Sequence, residues 1–274
     1  MSANSENPVT GYIDHHLTNF EVGEGFWALH VDTLFTSFVL GILFAGTFWL
    51  AARKATAEVP GPWQNFVEMV LEFVDGLVKE SFHAKSDLVA PLALTIFIWV
   101  FLMNFMDLVP IDWLPTLAYA LGFDYFKVVP PTNMNTTFGL SLGVLLLIIY
   151  YSLRFKGGLG YLKELFGHPF GLWFFPFNFA LNIIETLAKP ISLSLRLFGN
   201  LYAAELIFVL LATMTLGVTA PELFSSAGNI AMFVGQVFLT TLWALFHILV
   251  VPLQAFIFMI LTIIYLSMAS ETDH

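Results

Sequence analysis

From Leu223 to Ser270 the chain carries no Lys, Arg, Asp or Glu for 48 residues. A helix of about 20 apolar residues already crosses the ~30 Å hydrocarbon core of a bilayer. A run of this length is therefore a lipid-facing element rather than the core helix of a water-soluble domain. Three more uncharged runs are long enough to span: Leu34–Ala52 and Leu88–Met106, of 19 residues each, and Thr136–Leu153, of 18. A further stretch, Phe166–Leu216, is apolar but interrupted by Glu185, Lys189, Arg196 and Glu205. These runs predict an all-α integral membrane protein with five spans, near 34–52, 88–106, 136–153, 173–216 and 226–268. The last two are about twice the length a perpendicular helix needs at ~1.5 Å per residue, so they must tilt, bend or run partly along the surface. Pro252 is the expected bend in the last one. The competing reading of Leu223–Ser270 is a hairpin of two spans.

Composition agrees and excludes several functions. The chain is 58% hydrophobic and 11% charged, against about 25% charged in soluble domains. It has 10 Lys plus Arg against 20 Asp plus Glu, so it has no basic patch for nucleic acid. With no Cys, disulfides and thiolate chemistry are excluded. Neither a GxxxxGK[ST] loop nor an HExxH helix occurs, so no ATP-binding site is expected on this chain. The Gly-rich, basic run Arg154–Gly160 follows no strand and reads as a cytoplasmic turn. Asp14, His15 and His16 lie near the N-terminus and read as solvated rather than as metal ligands. Haem between helices needs paired axial ligands, and only His247 lies deep in a span. No cofactor is expected.

Orientation follows from the positive-inside rule. Residues 1–33 and the last loop near 217–225 carry no cation, and loop 107–135 has only Lys127. Loop 53–87 has Arg53, Lys54, Lys79 and Lys85, and loop 154–172 has Arg154, Lys156 and Lys163. This predicts a periplasmic segment 1–33, a single membrane domain 34–270 and a cytoplasmic tail 271–274. The N-terminus lacks the basic and short apolar regions of a signal peptide, so the first span is expected to be a retained anchor. After Pro60-Gly61-Pro62, apolar residues from Trp63 to Phe82 recur at three and four, with Glu68, Glu72, Asp75 and Lys79 between them. This predicts an amphipathic helix near 63–83 in the cytoplasmic interface, or packed on a partner's soluble part.

Ionisable groups inside spans are disfavoured by ~2.5–3.5 kcal/mol each on insertion scales and mark function by default. Here they are Glu185, Lys189, Arg196 and Glu205 on the fourth span and His247 on the fifth, with Asn104 and Asp107 at the outer end of the second. Glu185 and Lys189 are spaced i, i+4, which brings them together as a self-neutralising pair. Arg196 has no such neighbour: positions 192, 193, 199 and 200 are Ser, Leu, Gly and Asn. Arg cannot deprotonate to escape burial. Snorkelling to the interface is the alternative, against its place 23 residues beyond Trp173.

In an antiparallel pair formed by the last two helices, Glu205 can face His247 while Arg196 faces Gln254. Glu and His can relay protons, whereas Arg, Asn and Gln hold water and orient neighbours. Outward this seam leads to Asn104 and Asp107; inward from Arg196 it continues through Ser194, Ser192, Lys189 and Glu185. The pattern implies proton access from two sides, separated by a permanent cation. The chain has no unused mid-span acid to meet that cation, so a partner subunit must carry one.

The run Ser192-Leu193-Ser194-Leu195-Arg196-Leu197-Phe198-Gly199-Asn200, continued by Leu201-Tyr202-Ala203-Ala204-Glu205, resembles subunit a of bacterial F-type ATP synthases. So do Pro91–Thr95, Met103–Leu108 and the C-terminal Phe246–Leu249, Leu253–Met259 and Tyr265–Ala269, the last in its gammaproteobacterial form. The resemblance covers nearly the whole chain after about residue 30. It implies a proton-conducting stator beside a ring of c subunits, in the bacterial inner membrane, with peripheral stalk b subunits as further partners. By that likeness Arg196 is the ring-facing arginine that separates two half-channels. Asn200, Glu205, His247, Gln254, Asn104 and Asp107 match the family's proton-path positions. Glu185, Lys189 and Ser192 are candidates for the inner half-channel. Ala204 stands where some relatives have Gly.

Two rival functions remain at the level of the residues. A secondary transporter or proton channel would have its own mid-membrane site, but such folds show two similar halves with broken helices, and this chain shows neither. A structural scaffold would use Arg196 only to pin a lipid or a neighbouring helix.

Overall fold

The structure, a computed structural model, describes residues 18, 20–23, 25, 28–56, 58–84, 86–109, 113–120, 127–167 and 169–271. A two-stranded antiparallel ribbon, β1 (Glu21–Val22) and β2 (Leu29–His30), pairs Glu21 with His30. Then come helices α1 (Val31–Lys54), α2 (Pro62–Ser81), α3 (Val89–Phe105), α4 (Trp113–Ala120), α5 (Met134–Gly167), α6 (Phe175–Ala212), α7 (Ala220–Leu223) and α8 (Ala227–Ser270). Five helical stretches are long and apolar enough to cross a membrane: Val31–Lys54, Val89–Leu108, Met134–Gly167, Phe175–Thr215 and Ala227–Ser270. The protein is an all-α integral membrane protein with five such helices. Asp14, His15, His16 and the expected tail residues 272–274 lie outside the described residues.

The C-terminal apolar run is one helix, Ala227–Ser270, with Pro252 inside it. A missing N–H removes one hydrogen bond, and the other hydrogen bonds of a 44-residue helix remain. Residues 154–167, expected as a turn and loop, are mostly helical. The break is a single point, Gly157, at φ 72° and ψ 162°. That backbone region is open to Gly and closed to residues with a Cβ. The amphipathic helix α2 starts one residue early, with Pro62 in the first turn where its missing N–H is harmless. It ends at Ser81, with Phe82 already extended. Val67, Val74 and Val78 form its buried face, while Trp63 and Phe66 stack on each other half-exposed.

The described residues pack as two compact units. One draws on Met1–Leu40, Phe101–Asn133 and Gly199–Leu253; the other on Gly41–Val100, Met134–Phe198 and Gln254–His274. In the second unit, the apolar centre includes Val74, Val89, Val100, Tyr151, Leu197, Met259 and Leu266. The Tyr151 hydroxyl lies 2.6 Å from Ser86 Oγ, which satisfies the polar end of a fully buried ring. Asn178, also buried, ties the turn before α6: its amide donates to the carbonyls of Phe166 and Gly171 and its oxygen accepts from the N–H of Phe170. The carbonyls at the end of a helix need partners when buried, and Asn178 supplies one. The first unit differs in having a polar centre.

Candidate functional site

In the first unit, α6 carries Glu205, α8 carries His247, and the 3-10 turn Met106–Leu108 after α3 carries Asp107. All three side chains are buried, as are Asn104 on α3 and Lys127 in the segment before α5. Glu205, His247 and Asp107 sit there because the apolar positions one turn away, Leu201 and Val209, Val251, and Met103 respectively, are packed inward as well. A residue one or two helical turns from a core position shares its face.

Glu205 and His247 do not pair with each other. Lys127 Nζ lies 3.2 Å from Glu205 Oε2, with both side chains 5% exposed. His247 Nε2 lies 2.6 Å from Asp107 Oδ2, at ion-pair distance but outside hydrogen-bond alignment. The expected Glu205–His247 contact is thus replaced by two acid–base pairs, because the loop and the turn supply partners that the two-helix picture left out. The pairs belong to one electrostatic group: Asp107 acts on Glu205, and Lys127 acts on Asp107. Thr132 also lies beside Glu205, its hydroxyl donating to the Val129 carbonyl at 2.8 Å.

Two carboxylates, one ammonium and one imidazole make a cluster of net charge −1 with His247 neutral. One added proton makes it neutral. Burial disfavours net charge, so the cluster can take up one proton. Asn104 Nδ2 donates at 3.5 Å to the Val251 carbonyl. Phe208 and Trp243 flank the His247 ring at 6.0 and 6.4 Å. Asn104 Oδ1, His247 Nδ1 and Trp243 Nε1 are buried polar atoms without a hydrogen-bond partner among the described residues. Such groups are what water chains satisfy.

Lys127 was missed as a site residue. Its one signal in the sequence is being the sole cation between positions 107 and 135. Its pairing with Glu205 spans 78 positions and follows from the tertiary fold alone. Asn200, on α6, is exposed.

In the second unit, Arg196 is half-buried on α6 and its Nη2 donates to Ser192 Oγ, one turn back, at 3.4 Å. Among the described residues no carboxylate forms an ion pair with it. Ser194, fully buried, donates to Thr137 at 3.0 Å. Gln254 on α8 is buried in the same unit. Lys189 and Glu185 pair at 3.0 Å, as their spacing predicts, and Lys189 also lies 5.8 Å over the Tyr265 ring. Among the described residues no group of three or more metal-ligating side chains occurs.

Residues 34–267 match the family described as ATP synthase A chain. The chain is 58% identical to ATP synthase subunit a of Alkalilimnicola ehrlichii over 98% of this chain and 99% of that one. It is 57% identical to ATP synthase subunit a of Shewanella piezotolerans over 96% of each chain. A third relative, ATP synthase subunit a of Halorhodospira halophila, is 55% identical over 99% of each.

Proposed function

The chain belongs to the ATP synthase A chain family, and from that premise we propose that it is the proton-conducting stator of a rotary F-type ATP synthase. It is a multi-pass membrane protein. In this reading it lies in the bacterial inner membrane with a periplasmic N-terminus and a cytoplasmic C-terminus. Its Arg196 faces a ring of c subunits, and peripheral stalk b subunits hold it still.

Protons enter from outside past Asn104 and Asp107 and reach the His247–Asp107 and Lys127–Glu205 pairs. Glu205 and His247 take up and release the proton, while Lys127 and Asp107 hold them in place. Asn200 and Gln254 orient water along the helices on which they stand. The proton passes to a ring carboxylate, which loses its charge and can turn into lipid. After the ring has turned, the carboxylate discharges into an inner path begun by Ser192, Lys189 and Glu185. Arg196 repels a hydronium ion between the two paths and attracts the returning carboxylate.

The observation that carries this reading is Arg196 itself: a guanidinium on an apolar spanning helix with no carboxylate pairing to it among the described residues of its own chain. A charge so placed needs its counter-ion from elsewhere. The test is Arg196→Ala in the assembled complex, read as ATP-driven proton pumping in vesicles. The reading predicts that pumping is lost while the subunit still assembles; wild-type pumping overturns it.

A further inference from the structure

One buried acid has no part in the path above. Asp32, in the first turn of α1, is 2% exposed. Its Oδ2 accepts the backbone N–H of Phe20 and the backbone N–H of Lys127, each at 3.0 Å. Its Oδ1 accepts the Thr33 N–H at 2.7 Å and the Thr33 hydroxyl at 3.2 Å. One carboxylate thus fastens the segment before β1, the head of α1 and the start of the Lys127 segment, 95 positions away.

The Lys127 segment is buried, but among the described residues its backbone is held by few hydrogen bonds. Residues 127–129 lie outside any helix or strand, and Pro130 and Pro131 follow. Two prolines remove two backbone donors. The short turn Pro130–Thr132 anchors the segment on one side, through the Thr132 N–H to the Val129 carbonyl. On the other side the anchor is Asp32.

We propose that Asp32 is a positioning residue for proton uptake: by holding the backbone of Lys127, it sets where the Lys127 ammonium meets Glu205. The proposal rests on the reading that Glu205 carries protons. The groups facing Glu205 are Lys127 and Thr132 from the loop and Asp107 from the turn after α3, with His247 of α8 behind Asp107. Tyr202 lies 6.0 Å from the Lys127 ammonium. Of these, Lys127 is the one whose backbone depends on Asp32. Asn cannot replace the carboxylate in full, because four donors converge on two acceptor oxygens and an amide offers one.

The experiment is ATP-driven proton pumping against pH, in vesicles holding the whole complex, normalised to the amount of this subunit assembled. The variants are Asp32→Asn, Lys127→Met, the two combined, and Glu205→Gln. Lys127→Met is expected to slow pumping and displace its pH profile. Asp32→Asn should slow pumping roughly tenfold, the equivalent of one charge-assisted hydrogen bond, with the profile displaced in the same direction. In the Lys127→Met background, Asp32→Asn should add nothing.

A wild-type profile in Asp32→Asn overturns the proposal. So does an equal loss from Asp32→Asn in both backgrounds, which would make Asp32 a general anchor of the fold. If Asp32→Asn fails to assemble, Asp32→Glu, which keeps the charge but displaces it by a methylene, is the second probe, with the same two outcomes. Wild-type pumping in both Glu205→Gln and Lys127→Met would instead remove the premise about Glu205, a result distinct from failure at Asp32 alone.

Discussion

A buried ion pair holds its members by mutual need. Removing one partner of such a pair typically destabilises a protein by ~3–5 kcal/mol, because it strands the other charge. Glu205 can avoid that penalty by taking a proton, and this is the property a relay requires. Glu205→Gln keeps the shape and abolishes the charge change. It is expected to slow proton flux and displace its pH dependence, measured by pumping in vesicles; a profile overlying the wild type would contradict a relay at this position. The polar residues of the site were legible one at a time: Glu205, His247, Asn104 and Asp107 stand out because lipid disfavours them. Their partners were not. The pairing of Asp107 with His247 joins a turn to a helix 140 positions later, and helical periodicity carries no information at that range.

At the scale of elements, the five apolar runs were legible because a bilayer demands about 20 residues without charge. The ends of the helices were less so. Helix α5 continues past Leu153 to Gly167 because Arg154, Lys156 and Lys163 are compatible with helix beyond the apolar zone, and Lys156 pairs with Glu164 at 2.7 Å. Its break was hidden among the glycines of the run 157–160, of which Gly157 alone takes the positive φ. An added Cβ at Gly157 would meet no atom within 4 Å, so any effect of Gly157→Ala comes from the backbone. That variant is expected to lose ~1–3 kcal/mol of stability, read by unfolding in detergent. An unchanged stability would show that the chain can pass this point without the Gly-only conformation.

For the molecule as a whole, the chain offers two different polar sites. One pairs charges within its own chain: the Glu205, Lys127, Asp107 and His247 cluster balances them to within one proton. The other is incomplete: Arg196 has a serine partner and no acid. In the proposed function, the first site loads the proton and the second acts with a partner that brings a carboxylate. The overall architecture and the exceptional standing of Arg196 were both legible in the sequence, since each follows from the cost of charge in lipid. The pairing within the first cluster was not, because it depends on a loop lysine 78 positions from its acid.

The most direct measurement is passive proton entry into vesicles that carry the assembled membrane sector, driven by an imposed potential without nucleotide, with Arg196 intact and as Arg196→Ala. If Arg196 is the barrier between two half-paths, its removal joins them: passive entry rises above the wild type while ATP-driven pumping disappears. Passive entry unchanged, together with pumping at the wild-type rate, would contradict the account.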